Sequence, residues 1–161
     1  MKSLIVVFSY HHKNTQKVAE AMAKVLDASI KTPQQTNPEE LQQYDLVGFG
    51  SGIYACQHHK FLLELVDKLP QVSDKKAFIF STTGAPIVFG ESALMEAIKY
   101  HKPLKDKLEA KGYTIVDEFT CAGFNTNKFL KYFGGINKGR PNEEDLKHAE
   151  EFAIKLKRKL G

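Results

Sequence analysis

A polar segment between an apolar run and a helical pattern is the part of this sequence best suited to bind an anion. It comprises Ser9, Tyr10, His11, His12, Lys13, Asn14 and Thr15. A helix that begins at the end of this segment presents unpaired N–H groups and the positive end of its dipole, which attract anionic oxygen atoms. Asn14 and Thr15 have side chains typical of N-cap residues. The segment therefore predicts a phosphate site at the start of a helix.

The residues on either side of this segment predict the elements that position it. The run from Leu4 to Phe8 is apolar without alternation, which is typical of a strand covered on both faces in a parallel sheet. Beyond the segment, Val18, Met22 and Leu26 recur at helical spacing, so one stripe of the helix can pack on that sheet.

The same order of strand, small polar residues and helix recurs along the chain. Strands are expected from Tyr44 to Gly50, from Lys76 to Thr82 and from Tyr113 to Cys121, with helices from about Gln57 to Leu69 and from about Glu91 to Lys111, where Gly112 is a natural stop. The alternation of polar and apolar residues in the Tyr113 strand favours an edge position.

Two weaker elements complete the pattern. A short strand is expected from Ser29 to Lys31, followed by a short helix that opens at Asn37, and Asn142 is expected to cap a terminal helix. Five strands then alternate with helices, which predicts a three-layer, doubly wound α/β fold with a five-stranded parallel sheet and right-handed crossovers. In such a sheet the ligand lies beyond the carboxyl ends of the strands.

The bulk composition fits one globular domain covering residues 1–161. The chain is 42% hydrophobic and 26% charged, and it has no apolar run of the roughly 20 residues that a membrane span needs. It enters its first strand without a secretory leader, so a cytoplasmic location is expected. Cys56 and Cys121 have neither metal-type nor disulfide-framework spacing, and both are expected to be free thiols.

Three loops together resemble those of the flavodoxins, and the resemblance extends over essentially the whole chain. They are the segment Ser9–Thr15, the residues Ser51, Gly52, Ile53 and Tyr54, and the residues Thr82, Thr83, Gly84 and Ala85. The resemblance implies the strand order 2-1-3-4-5 and a noncovalently bound flavin mononucleotide (FMN). It also implies that the first loop holds the phosphate and that the other two hold the isoalloxazine ring.

The resemblance implies specific roles and exposes two departures. Tyr54 is expected to stack on the flavin. A peptide at Gly52 is expected to turn its carbonyl toward a protonated flavin N5, which a residue without Cβ permits at least cost. The family usually has a small hydroxyl residue at Tyr10 and a glycine at Lys13. Lys13 brings a positive charge, and His12 a donor, toward the phosphate.

The same residues allow other kinds of site. The pairs His11–His12 and His58–His59 follow neighbouring strands and could converge on a metal, but no carboxylate or thiolate completes an obvious ligand set. A response-regulator receiver, which resembles this topology, needs acidic residues where this chain has Ser9, Tyr10, Gly50 and Ser51. A dinucleotide site is not expected, because no G-x-G-x-x-G motif follows a strand.

A basic segment from Ala122 to Pro141 follows the last strand. It contains Lys128, Lys131, Lys138 and Arg140 without an acidic residue, together with Phe124, Phe129, Tyr132 and Phe133. Its charge equals the net +4 of the chain. The segment is expected to border the pocket and to recognise an acidic redox partner. Single-stranded nucleic acid is a weaker alternative, and simple coverage of the sheet edge is another.

The sequence leaves three classes of function open. The favoured one is an electron carrier, which needs no catalytic side chain because the cofactor performs the chemistry. The second is a small FMN-dependent oxidoreductase that reduces a quinone or a similar acceptor in the pocket. The third, suggested by Tyr10 and Lys13, is an interaction module that has lost its cofactor.

Overall fold

The computed structural model describes residues 1–84, 91–125 and 134–161, except for the side chains of His11, Glu91 and Ala93. Ala85 of the third predicted loop therefore lies outside the described residues. So do Lys128, Phe129, Lys131, Tyr132 and Phe133 of the basic segment.

Five parallel strands form the predicted sheet. They are β1 (Ser3–Phe8), β2 (Ser29–Lys31), β3 (Leu46–Tyr54), β5 (Lys75–Thr83) and β6 (Tyr113–Ala122), and a short antiparallel strand, β4 (Gln57–His58), pairs with β3. The parallel strands have the order β2-β1-β3-β5-β6. This confirms the predicted order 2-1-3-4-5, since β5 and β6 are the fourth and fifth strands of the prediction, and it confirms the last strand at an edge.

The short strand β4 corrects one prediction. Gln57 and His58 were expected to begin a helix, but they pair antiparallel with Tyr54 and Ile53 of β3. Ala55 and Cys56 between the two strands both have positive φ, 49° and 62°, as a two-residue hairpin loop requires. The helix begins only at Lys60.

The helices cover both faces of the sheet. They are α1 (Asn14–Leu26), α2 (Lys60–Asp67), α3 (Glu91–Ile98), α4 (Lys102–Ala110) and α5 (Glu143–Leu160). The expected helix over Glu91–Lys111 is divided by a 3₁₀ turn, Lys99–His101, next to Pro103, which cannot donate a helical hydrogen bond. The segment after Asn37 is also a 3₁₀ helix, Pro38–Gln43. No helix in the described ranges is long and apolar enough to cross a membrane.

Successive side chains of each strand supply two separate hydrophobic cores, because strand side chains alternate between faces. Val6, Val47 and Ile79 pack with α2 and α4, whereas Val7 and Phe78 pack with α1 and α5. Neighbouring residues of β5 therefore lie on opposite faces of the sheet and pack against different helices.

Two of the three helix ends predicted from capping or stop residues match the structure. Asn142 caps α5 in a capping box with Asp145, and Gly112 stops α4 with φ 91°, where a Cβ would lie 1.8 Å from the Val72 carbonyl oxygen. The predicted N-cap of α1 is wrong. Lys13 occupies that position without a side-chain cap bond, because Asn14 and Thr15 are hydrogen-bonded to other parts of the fold.

Candidate functional site

A cleft lies where the carboxyl ends of β1, β3, β5 and β6 meet at one edge of the sheet. Its empty space, counted with the part open to solvent, is about 470 Å³. The lining residues are Tyr10, Asn14, Thr15, Gly52, Ile53, Tyr54, Thr82, Thr83, Gly84, Gly123, Phe124 and Asn125. The structure thus brings parts of all three predicted loops together.

The first loop has an unusual backbone. His12 has φ 53° and Lys13 has φ 56°, so two successive non-glycine residues adopt the left-handed region directly before α1. Loop conformations of this kind can turn successive N–H groups into a concave anion site. The side chains of both residues are exposed, and the His12 ring lies against Phe124 with a centroid distance of 4.4 Å.

The start of α1 is tied to the far strands rather than capped by its own residues. Thr15 Oγ1 lies 2.8 Å from Thr82 Oγ1 in a buried hydrogen bond, and Asn14 Nδ2 donates to the Phe124 carbonyl oxygen at 2.9 Å. Ser9 Oγ accepts from the N–H of Gln16 at 3.2 Å. The helix start therefore faces the cleft in a fixed orientation.

One buried acceptor in the cleft is left over. Asn14 Oδ1 is buried and has no hydrogen-bond partner among the described residues. A buried polar atom of this kind costs free energy unless it is satisfied. The atom therefore fits a ligand that brings a hydroxyl or an N–H to this point.

Tyr54 forms one wall of the cleft. A Cβ on Gly52 would lie 3.1 Å from the Tyr54 ring, so the ring covers that glycine, and its edge meets the His59 ring at 5.1 Å. Burial, and to a smaller extent Tyr10, raises the pKa of Tyr54. Tyr10 itself is 60% exposed at the rim. The cleft thus offers one aromatic face inside and another at its edge.

The hairpin below Tyr54 is held by its own polar groups. Ser51 Oγ accepts from the N–H of His59 at 2.9 Å and donates to the Gly52 carbonyl oxygen at 2.6 Å. His59 Nδ1 accepts from the N–H of Phe61 at 3.2 Å, and its ring stacks on Phe8 at 3.9 Å. Burial lowers the pKa of His59, which suits a neutral acceptor.

The second histidine pair does not form the metal site considered above. His58 is buried and bonds the Phe80 carbonyl oxygen through Nε2 at 3.0 Å, while His59 caps α2. Within the described part of the chain, no group of three or more metal-ligating side chains comes together. Both imidazoles are part of the framework of the hairpin.

The first described residues of the basic segment border the cleft, but one of its charged residues, Arg140, forms an ion pair within the protein. Asn125 and Ile136 pair in an antiparallel bridge, and the N–H of Phe124 donates to the Arg140 carbonyl oxygen at 2.8 Å. The Arg140 guanidinium forms a two-bond ion pair with the buried Asp145, which raises the pKa of Arg140. Arg140 therefore stabilises the start of α5, and Lys138 remains as an exposed charge.

Three lining residues, Gly123, Phe124 and Asn125, were absent from the predicted cofactor-binding set, although they lie in the segment that was expected to border the pocket. Gly123 and Asn125 follow the end of β6 and reach the cleft beside Phe124. A Cβ on Gly123 would lie 2.7 Å from Asn14 Nδ2, and one on Gly84 would lie 2.4 Å from Asn125 Nδ2. The sequence could have indicated that residues after β6 line the cleft, because β6 was expected to end at the same edge of the sheet as β1, β3 and β5.

Comparison with known proteins gives a consistent result. Residues 5–135 match the family described as the flavodoxin domain. An uncharacterized protein of Methanocaldococcus jannaschii is 46% identical over 153 residues, which cover 95% of this chain and 96% of that protein.

Solved structures share the fold at low sequence identity. A flavodoxin from the domain Archaea is 19% identical with a TM-score of 0.69, over 99% of both chains. Oxidised flavodoxin 2 from Bacillus cereus has the same identity, TM-score and coverage. The flavodoxin of Fusobacterium nucleatum bound to flavin mononucleotide is 12% identical with a TM-score of 0.63, over 99% of both chains.

Proposed function

The chain belongs to the flavodoxin-domain family, and from that membership we propose that it binds FMN in the cleft and carries electrons between redox proteins. The observation that carries the proposal is the convergence of parts of the three loops on one cleft. The flavin mononucleotide in the Fusobacterium nucleatum structure supports this choice of ligand. When bound, the flavin would supply the electron-transfer chemistry.

The residues of the cleft suit the separate parts of FMN. The backbone N–H groups around His12 and Lys13 and the Lys13 ammonium would hold the phosphate. Asn14 Oδ1, buried without a partner in the described residues, would accept a hydrogen bond from a hydroxyl of the sugar chain. Tyr54 would cover one face of the ring, as its position over Gly52 suggests.

Gly52 has a further proposed role in setting the potential. Its peptide would turn to offer a carbonyl to the flavin, which the missing Cβ makes inexpensive. The Gly52 carbonyl already accepts a hydrogen bond from Ser51 Oγ at 2.6 Å. Ser51 would therefore oppose the turn, and replacing it with alanine would make the turn easier.

Titration of the purified apoprotein with FMN tests the proposed ligand. We expect a Kd below about 1 μM, and we expect riboflavin, which lacks the phosphate, to bind at least about tenfold more weakly because charge-assisted hydrogen bonds are lost. Visible absorption of the protein as purified gives an independent check. A Kd above micromolar for FMN would refute both redox functions and favour a module without a cofactor.

We also propose that the redox partner is acidic. The net charge of the chain is +4, and Lys13, Lys60 and Lys138 are exposed near the carboxyl edge of the sheet. Oxidation of the reduced holoprotein by ferricyanide, an anion, should slow as salt is added, whereas oxidation by hexaamminecobalt(III), a cation, should speed up. Lys138→Glu should weaken both trends, and Lys24→Glu, at the far end of α1, should change them less. Salt-independent rates would contradict the proposal.

An oxidoreductase acting on a quinone is the second candidate. The aromatic faces of Tyr10 and Phe124 at the cleft favour it, because a planar acceptor could stack there. Turnover of a nicotinamide cofactor with a quinone by the isolated holoprotein would support this enzyme. A long-lived one-electron-reduced state without turnover would support the carrier. The two free cysteines suit a reducing compartment, and we propose the cytoplasm.

A further inference from the structure

A buried polar cluster lies beneath the cleft, on the face of the sheet that carries α4. His58, His101 and Ser81 are buried, and the two imidazole rings are 4.9 Å apart between centroids at an angle of 55°. Thr120 and Glu118 of β6 complete the cluster through contacts with Ser81 and His101. The proposed electron-carrier function uses none of these side chains.

Hydrogen bonds determine where the protons of the two imidazoles lie. Ser81 Oγ donates its single proton to Thr120 Oγ1 at 2.9 Å. The His101 Nε2 atom, 2.8 Å from Ser81 Oγ, must therefore be the donor in that contact. His58 Nε2 faces a carbonyl oxygen at 3.0 Å and must also donate. Both rings thus carry hydrogen on Nε2, and in the neutral state both Nδ1 atoms are acceptors.

The two Nδ1 atoms have different surroundings. Both are buried without a hydrogen-bond partner in the described residues. His101 Nδ1 lies 3.7 Å from Glu118 Oε1, so its lone pair faces a carboxylate and its protonated form would face an opposite charge. Burial, together with the nearby His101, lowers the pKa of His58 to about 3. His58 therefore stays neutral, and His101 is the ring whose Nδ1 lies near a carboxylate.

Glu118 connects this position to the surface. Its side chain is 20% exposed, and Lys105 Nζ lies 3.6 Å from its other oxygen, Oε2. The contact with His101, and then the charge of Lys105, lower the pKa of Glu118 against the effect of burial. Glu118 is thus ionised at neutral pH and stands between solvent and the imidazole.

We propose that His101 Nδ1 is a proton-binding site, paired with Glu118, whose occupancy rises when negative charge is added to the cleft by reduction of the flavin. The electron comes from the redox partner and the proton from solvent past Glu118. The N–H bond at Nδ1 is formed with a proton from solvent, and this proton stays on His101 as compensation for the charge in the cleft. The coupling to the cleft rests on the proposed function, whereas the proton site itself does not.

Several charged and polar groups surround His101. Glu118 approaches from β6, Lys105 from α4 and neutral His58 from β4, while β5 presents the uncharged Ser81. The adjacent Lys102 is 76% exposed and pairs with Asp106 at 2.7 Å. Among the described residues, Glu118 is the carboxylate that lies within ion-pair distance of Nδ1.

The cluster is also in direct register with the cleft. Ser81 precedes Thr82 and Thr83, which line the cleft, and His58 pairs with Ile53, another lining residue. Ser81, Thr82 and His58 are all buried, so charge added to the cleft would act on His101 with little screening by water. By reciprocity, a proton on His101 would favour the reduced flavin by the same factor.

The proton site is tested first in the apoprotein, by following the imidazole ¹H and ¹⁵N signals of His101 with pH. We expect the neutral ring in the Nε2–H form and protonation at Nδ1. Glu118→Gln should reduce the proton affinity at least about tenfold, because an opposite charge is removed. His101→Gln serves to assign the signal, since its amide can still donate to Ser81. A ring protonated first at Nε2, or a titration that Glu118→Gln leaves unchanged, would overturn the proposal.

The coupling is tested next in the FMN-loaded protein. Reduction with dithionite should raise the proton affinity of His101 at least about threefold relative to the oxidised form. The pH dependence of the midpoint potential should be weaker in His101→Gln than in the unmodified protein. An unchanged titration on reduction would refute the coupling. Failure to bind FMN would instead refute the proposed function, while the apoprotein titration would still decide the proton site.

Discussion

The backbone of the phosphate loop leads to a prediction that separates conformation from charge. Lys13 has φ 56° and ψ 30°, a left-handed conformation that costs an L-residue about 1–2 kcal/mol. Glycine avoids this cost but loses about 0.5–1 kcal/mol through its more flexible unfolded state. Lys13→Gly should therefore stabilise the apoprotein by about 0.5–1 kcal/mol. For a chain of 161 residues, the midpoint of thermal unfolding should rise by about 1–4 °C.

Thermal and urea unfolding of the apoprotein, followed by circular dichroism, measure this change, and α1 supplies two matched controls. Asp27 at its carboxyl end is exposed and has φ 51°, so Asp27→Gly should stabilise to a similar extent. Lys17 is exposed within the helix, so Lys17→Gly should cost about 1 kcal/mol. If Lys13→Gly behaves like Lys17→Gly, the loop is not left-handed at this position and the reasoning fails.

FMN titration of the same variants then isolates the charge. Lys13→Gly keeps the backbone conformation and removes the ammonium, and Lys13→Gln removes the ammonium but keeps the Cβ. If the charge holds the phosphate, both should bind FMN about three- to tenfold more weakly at low salt, and the difference should shrink at high salt. Asp27→Gly should bind as the unmodified protein does. Unchanged or tighter binding in both Lys13 variants would assign phosphate binding to the backbone alone.

Three further predictions concern the framework of the site. Thr15→Val leaves the buried Thr82 hydroxyl without its partner and should cost about 1–3 kcal/mol in urea unfolding; adding Thr82→Val should recover part of this loss, and purely additive losses would contradict the pairing. Gly50→Ala places a Cβ 2.2 Å from the Phe80 ring and should cost at least about 1–3 kcal/mol, so unchanged stability would show that the ring moves freely. His58 has a folded pKa of about 3 against an ordinary 6.5, so below pH 6.5 the unfolded chain binds a proton that the folded one refuses. This group alone should lower the free energy of unfolding by about 2 kcal/mol between pH 7 and pH 5. In urea unfolding over the same pH range, His58→Gln should show a shallower fall. An equal slope would count against a buried neutral imidazole.

Local pattern was sufficient for most of the fold. The apolar runs of β1, β3 and β5 and the helical spacing of Val18, Met22 and Leu26 in α1 report burial directly, because each face of an element must match what it packs against. The same patterns placed the polar loops at one edge of the sheet. Their content resembled a family to which the chain proved to belong.

Elements decided by distant partners were predicted less well. Gln57 and His58 have no strand-like sequence of their own, and they form β4 because β3 extends beyond the sheet and offers them a partner. Lys13, rather than Asn14 or Thr15, is the N-cap of α1 because those two side chains bond Phe124 and Thr82. Arg140 lies in a basic segment whose sequence suggests surface charges, but in the fold its guanidinium forms an ion pair with Asp145.

The alternation of strands and helices and the position of the cleft follow from short-range periodicity and from the geometry of parallel sheets, whereas the order of the strands was implied by the resemblance to the flavodoxins. The hydrogen bonds inside the cleft, the spare oxygen of Asn14 and the contact between His58 and His101 could not be predicted from the sequence. They join residues far apart along the chain, and only folding sets the distances between those residues. The energy of a hydrogen bond or an ion pair changes within a fraction of an ångström. Sequence patterns record only which residues are buried, so they cannot give such distances.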